Sequence, residues 1–528
     1  MDSKEILNYC VEKGLLIEPE VLNLFKETND GESVKLIIEK LKNHTQKKVI
    51  TKRLVEENKE SISEFFFKLP EENKRNLERL KVKLGLKIEI SKEFSEESMP
   101  KSQQEEYVIG KSEELDSSDG VKVLSTVSKP FRKKIEVQDF VGNLRSKFIG
   151  LKNILQEHRE LENLVSVSKL TKGQRVSIIG MVGEKRVTKN GNILLDIEDL
   201  TGRTRVLINQ NKPDIYKQAE DITPDSVLGF IGSGDREIFF ANNIVFPDAV
   251  ILDKKKSPKD ERVLFVGDIH YGSHLFLEDS FRKFIDYLNG KTPNSGEVDK
   301  IKYLFIVGDL VSGVGNYPSQ FKDLKIKDLE EQFQGIAELL GKIRKDIKII
   351  VSPGNHDGVR LLEPQPFLDE KYAWPLYNLR NIIMTGNPAT INLGGKGDFP
   401  GFDVLTYHGF SYPFYANNIP SLIQKGMNAP EDIMKYLMKH RHLAPTHSSV
   451  QYIPYEEDEL VIKNVPDIFV SGHSHKCAVS SYNNILIVST AAWESETEYQ
   501  KRKGNKPDFC KVPMMNMKTG EIKILDFE

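Results

Sequence analysis

The chain has 528 residues, 39% of them hydrophobic and 29% charged, which is enough to bury sizeable cores and, at about 150 residues per domain, too long for only one. Its 75 basic and 78 acidic residues leave a net charge of −3, which excludes a global field for nucleic acid and restricts any such contact to local patches or a partner. Three scattered cysteines (Cys10, Cys477, Cys510) exclude a disulfide framework or thiolate zinc site and fit a reducing cytoplasm, and the acidic start MDSKEILNYC and the lack of a long apolar run predict neither a secretory signal nor a membrane contact.

Residues 1–88 are expected to form a small helical domain. Apolar residues recur at helical spacing in Ile6, Leu7 and Cys10, in Val21, Leu22 and Phe25, and in Val34, Ile37, Ile38 and Leu41. Residues 89–134 are expected to be a flexible acidic linker. From Ser91 to Gly120 there are nine acidic residues, three lysines and seven serines, too little apolar surface to offset ordering entropy.

Residues 135–255 are expected to hold a helix followed by a barrel. Helical periodicity runs to about residue 160. Short β-branched segments follow (VSIIGMV, NILLDIED, TRVLIN, SVLGFIGSG, EIFFANNIVF), broken by turn signals such as Lys189-Asn190-Gly191. Five strands in about 80 residues suggest a Greek-key barrel of the OB type. Its aromatics are Tyr216, Phe230, Phe239, Phe240 and Phe246, and a docking role is favoured over base stacking.

Residues 256–528 alternate apolar strands with helices. VLFVGDIH, YLFIVGDL, IKIIVSPGNHD, DVLTYHG and DIFVSGHSH each end in polar residues, where an α/β sheet presents its chemistry. Seven residues there are candidate metal ligands: Asp268, His270, Asp309, Asn355, His408, His473 and His475. Imidazole and carboxylate donors suit manganese, iron or zinc. Asp-x-His and His-x-His put two side chains on one face, and a preceding glycine permits a tight turn. A second histidine group, KHRHLAPTH (His440, His442, His447), follows no strand and is expected to pack at a helix end.

In this order, D-x-H, GD, GNHD, H and GHSH resemble the calcineurin-like metallophosphoesterases. The resemblance implies a C-terminal two-layered α/β β-sandwich and two divalent cations, manganese first, with iron, zinc or magnesium as alternatives. It implies Asp268, His270 and His475 at one cation, Asn355, His408 and His473 at the other, and Asp309 between them. His356 would act on the leaving group and Asp357 would orient it. GDLVSGVGNYPSQ (308–320) and PGNHDGVRLLEPQP (353–366), with the order helical domain, linker, barrel, phosphoesterase, further resemble the small subunits of archaeal family-D DNA polymerases. That implies a cytoplasmic 3′→5′ proofreading exonuclease acting on DNA beside a large catalytic subunit. The fold expected is thus multidomain, α/β plus β. Alternatives are a non-catalytic scaffold, which should have lost its ligands, and a stand-alone phosphatase or repair nuclease. Arg360 is expected either to hold a substrate phosphate or to pair with Glu363. Tyr317, Tyr412 and Phe414, in loops after ligand strands, are expected to stack on bases or to pack locally.

Overall fold

A computed structural model of the chain describes residues 3–18, 21–22, 34–35, 38, 49–50, 120–127, 134–292 and 296–528. Most of the expected helical domain and linker lies outside the described residues. Two units are distinguished, Met1–Glu106 and Tyr107–Glu528. In the first, the helix Ser3–Glu12 buries Ile6 and Cys10, and β1 (Leu16–Ile17) pairs in parallel with β2 (Val49–Ile50), so its described part is not purely helical.

The second unit begins with a departure from expectation. Val121–Thr126, within the expected linker, forms β3, an edge strand antiparallel to β13 (Ala389–Leu393) of the C-terminal region. The physical reason is local: the acidic, serine-rich composition ends at Gly120, and Val121 is buried among Tyr303, Ile391 and Leu393. The helix Val137–Gln156 follows, started by a reciprocal capping box between Glu136 and Asp139. Its Phe148, Leu151 and Leu155 pack on Ile179, Met181 and Val227 of the barrel.

That barrel closes in the order β4 (Arg175–Val187), β5 (Ile193–Glu198), β6 (Arg203–Ile208), β8 (Ile238–Val245), β7 (Val227–Gly234). The helix Pro213–Glu220 connects β6 to β7. Phe230, Phe239 and Phe246 fill its core, and Phe240 points outward. One exposed ring makes a poor stacking platform.

The C-terminal region is a sandwich of two six-stranded sheets. One runs β12 (Ile382–Met384), β11 (Lys348–Ser352), β10 (Ile301–Val307), β9 (Arg262–Val266), β18 (Lys511–Asn516), β19 (Ile522–Asp526). The other runs β16 (Ala478–Tyr482), β17 (Ile485–Ser489), β15 (Ile468–Ser471), β14 (Phe402–Thr406), β13 (Ala389–Leu393), β3. The strand period of two explains the layers. Val263, Phe265, Phe305 and Val307 face the opposite sheet, whereas Leu264, Val266, Leu304 and Ile306 face the helices Glu278–Leu288 and Leu329–Leu340. The helices Tyr412–Asn418 and Pro430–His440 cover the second sheet. Within each sheet the chemically important strands are parallel, β9 with β10 and β11, β14 with β15. Their C-terminal ends therefore open on one side.

Candidate metal centre

Each cluster singled out from the sequence follows directly on one of these strand ends. Asp268 and His270 follow β9, Asp309 follows β10, Asn355 and His356 follow β11, His408 follows β14, and His473 and His475 follow β15. Backbone hydrogen bonds tie the ends together: Asp268 N–H donates to Gly308 O and His270 N–H to Asp309 O, each at 3.0 Å. All seven candidate ligands converge. Donor atoms lie within 4.8 Å of one another in each of three overlapping groups: Asp268–His270–His475, His270–Asp309–His356 and Asp309–His408–His473. Asn355 joins through Oδ1, 3.0 Å from His408 Nε2.

Asp309 Oδ2 is central, 3.2 Å from His408 Nε2 and 3.8 Å from His270 Nε2. His475 Nε2 lies 3.5 Å from Asp268 Oδ1 and 3.1 Å from His270 Nε2. Five of these residues (Asp268, His270, Asp309, His473, His475) have positive φ between 50° and 65°. Each such backbone costs about 1–3 kcal/mol and persists only where its surroundings enforce it, typically at functional sites. The flanking glycines are sterically required. A Cβ on Gly308, itself at φ 79°, would overlap His408, one on Gly354 would overlap Asp309, and one on Gly472 would lie 2.7 Å from Asp268 Oδ2.

The donor chemistry fits divalent cations. Asp268 and Asp309 are essentially buried, their ion-pair partners are histidines, and among the described residues no Lys or Arg pairs with either. Burial raises the Asp268 carboxyl well above the usual range. It acts the same way on Asp309, but His408 and His356 outweigh it and hold that carboxyl well below. Burial lowers His270, His473 and His475, keeping three imidazoles neutral with a lone pair to give. His408, which burial alone would lower, is pushed up to about 10 by Asp309, and two buried acids beside three neutral imidazoles are an environment that a cation stabilises.

Other sequence-predicted site residues fare differently. His356 Nδ1 lies 2.8 Å from Ser312 O, and Asp309 Oδ1 accepts from His356 N–H at 2.8 Å. Asp357 makes no direct contact with the His356 ring. Its carboxylate accepts from the N–H groups of Val311 (3.0 Å) and Gly354 (2.8 Å), so it braces the loops, and the Ser312 carbonyl orients the His356 ring. Arg360 does not pair with Glu363. Its guanidinium donates to Leu362 O, Pro364 O and Tyr455 OH, and its loop is what it stabilises. Tyr412 is fully buried, 6.0 Å from the Tyr407 ring, so it is core rather than a stacking surface; Phe414 packs partly buried against the same cluster. Tyr317 is 44% exposed, with its ring 6.4 Å from that of His356.

Sequence reasoning missed Gln500, whose side-chain amide lies 2.8 Å from His475 Nδ1, Thr490, near Asp268, and Phe410, edge-on to His473. It also missed Glu494, a carboxyl pushed up to about 7 by burial and bonded by Ser273 Oγ at 2.5 Å. Only Gln500 had a readable signal, the Thr-x-x-Gln capping pattern from Thr497.

The family model for calcineurin-like phosphoesterases matches residues 261–477. The DNA polymerase II small subunit of Methanothermobacter thermautotrophicus is 32% identical over 530 residues, covering 99% of each chain. That of Pyrococcus furiosus is 37% identical over 405 residues, covering 75% of this chain and 64% of its own, so this chain spans less than two thirds of that relative's length. Among solved structures, a novel archaeal phosphodiesterase aligns over 50% of this chain and 98% of its own at 12% identity and a TM-score of 0.25.

Proposed function

The chain belongs to the family of archaeal DNA polymerase II small subunits, and on that premise we propose that its phosphoesterase domain is a two-metal 3′→5′ exonuclease that trims single-stranded or mismatched 3′ DNA ends beside a large catalytic subunit. The observation that carries the reading is the complete convergence of Asp268, His270, Asp309, Asn355, His408, His473 and His475. A scaffold under no catalytic demand has no reason to hold five of them in strained backbone.

Divalent cations bound here would supply Lewis acidity, neutralising the phosphate oxygens and acidifying a water. The chain's own residues do the rest. Asp309 presents one carboxylate oxygen between the His270 and His408 sides and spends the other on His356 N–H, which fixes the spacing of the two halves. His356 gives its Nδ1–H to Ser312 O, so that Nε2 faces the site; with the ring doubly protonated, its Nε2–H is the proton passed to the departing 3′ oxygen, and the ring is left neutral. The Asp357 carboxylate ties the β10 and β11 loops together and so holds His356 in place. Tyr317 is the exposed ring positioned to stack on a terminal base.

We read the closed barrel as OB type. Its aromatic core and its helix-mediated seam with the phosphoesterase region support a docking role toward the large subunit. No helix among the described residues is long and apolar enough to cross a membrane.

The test is release of mononucleotides from end-labelled single-stranded DNA with added manganese, compared with a phosphomonoester substrate. Mononucleotides should appear from the 3′ end, with the phosphomonoester a poor substrate. A metal-loaded chain, with or without its large subunit, that releases none would overturn the reading.

A further inference from the structure

The centre is connected to a basic segment through one side chain. The short helix Glu498–Lys503 exposes Tyr499, Lys501, Arg502 and Lys503, while its Gln500 is turned inward, 9% exposed. Gln500 has two partners. Its Oε1 accepts from Thr497 N–H at 2.9 Å, completing a capping box in which Thr497 Oγ1 accepts from Gln500 N–H at 3.2 Å. Its Nε2 faces His475 Nδ1 at 2.8 Å.

These contacts conflict with cation binding. His475 reaches the cluster through Nε2, the atom 3.1 Å from His270 Nε2 and 3.5 Å from Asp268 Oδ1. To ligate, Nε2 must offer its lone pair, so the ring proton must sit on Nδ1 and be donated to an acceptor. An amide NH₂ only donates. As arranged, Gln500 imposes the other tautomer, with the proton on Nε2. Rotating the amide by half a turn presents Oε1 to His475, but the same oxygen then leaves Thr497 N–H.

We propose that Gln500 is a positioning residue that couples cation binding at Asp268, His270 and His475 to the N-terminal cap of the basic segment Glu498–Lys503, because its single amide oxygen serves either His475 or Thr497. The far end of the segment is anchored independently. Gly504 closes it at φ 71°, and Asn428 bonds both Gly504 O and Lys506 N–H. Cation binding therefore loosens only the first turn, which carries Tyr499 and leads into Lys501, Arg502 and Lys503. The cations are in place before these side chains become free to follow a nucleic-acid backbone. This rests on the metal-centre reading above.

The experiment uses the full chain and Mn²⁺ alone as probe, with equilibrium dialysis for affinity and amide hydrogen exchange for the cap. In the wild type, Mn²⁺ should accelerate exchange at Thr497. Gln500→Leu, with no acceptor, should weaken one class of Mn²⁺ site by about 10–100-fold. Gln500→Glu, with two acceptor oxygens, should bind Mn²⁺ at least as tightly as wild type, with Thr497 protected throughout. It also shows that the position tolerates a polar replacement if the leucine variant folds poorly. Equal Mn²⁺ affinity in wild type and both variants, or a Thr497 exchange rate indifferent to Mn²⁺, would overturn the coupling alone. A wild-type chain that binds no Mn²⁺ would overturn the metal-centre reading and the coupling with it.

Discussion

Two regions of this molecule are rich in histidine, and their neighbours differ. At the strand ends, His270, His408, His473 and His475 point at one another and at two buried carboxylates, and the polypeptide adopts left-handed backbone at several positions to bring them there. At the end of the helix Pro430–His440, each histidine has its own conventional partner. His440 gives Nδ1–H to Tyr436 O at 2.8 Å and packs edge-on to Phe246 of the barrel. His442 lies 2.9 Å from Asp458, and His447 lies 2.7 Å from Tyr452 OH with its ring nearly perpendicular to that of Phe140. The second group seals the barrel and its preceding helix against the phosphoesterase region. Histidines shared among one another and with carboxylates mark a site; histidines held one by one by separate neighbours, even with His440 Nε2 buried and unbonded, mark a seam.

The largest effect separating the two comes from deleting a member of each. Asp309→Ala should abolish exonuclease activity and Mn²⁺ binding at both halves of the centre while the chain stays folded, since Asp309 Oδ2 lies between the His270 and His408 sides. His442→Ala should leave the rate per folded molecule unchanged and lower stability by about 1–3 kcal/mol, because Asp458 loses a hydrogen bond in a buried setting. Activity assays and denaturant titrations on both variants check this. Normal cleavage by Asp309→Ala would dissolve the distinction. Next is Gly354→Ala, one methyl group whose carbon would overlap the Asp309 carboxylate and sit 2.5 Å from Asp309 N. The Asp309 backbone leaves little room to yield, so activity should fall at least tenfold with modest loss of stability. Unchanged kcat would show the loops to be softer than their packing implies.

How far the sequence revealed this division depends on where each residue's partners lie. The convergence of the seven strand-end residues was legible because their types follow apolar strands, with glycine where a turn must tighten. The barrel was legible from short β-branched segments, and the helix-end histidines from the absence of a strand before them. Asp357 and Arg360 were not legible. Their hydrogen bonds run to Val311 and Tyr455, contacts set by loop folding that no local pattern encodes. Tyr412 looked like a loop aromatic because Gly409 and Pro413 flank it, yet it opens the helix Tyr412–Asn418 with its ring in the core. β3 was hidden because a single buried valine decides its edge pairing, next to a segment whose composition argues for disorder.

The aromatics allow a smaller test of the same contrast. Tyr317→Ala should weaken single-strand binding by about 1–3 kcal/mol, seen as a KM raised on the order of tenfold with kcat retained. Tyr412→Ala should instead cost about 3–5 kcal/mol of stability, as removal of a buried ring does, with KM unchanged in the folded fraction. Exchange of those two phenotypes would mean that the exposed ring is structural and that the site reaches into the core.

The smallest effect concerns protons. Burial drives His440 down to about 3, so the folded chain holds it neutral through the whole range in which an unfolded histidine, near 6.5, takes a proton. The unfolded state then binds more protons between about pH 6.5 and pH 3, and stability must fall as pH drops through that window. The expected loss is about 1 kcal/mol from this residue over the first pH unit below 6.5. In His440→Asn that increment disappears: whatever the variant's absolute stability, it should fall less steeply than the wild type's between pH 6.5 and 5.5. Identical slopes in denaturant titrations across that interval would mean that His440 takes up a proton in the fold as readily as in the unfolded chain. An uncompensated cation would then form in the seam between barrel and phosphoesterase region as the pH falls, and the contrast between a shared cluster and a set of neutral, separately held histidines would fail at its second term.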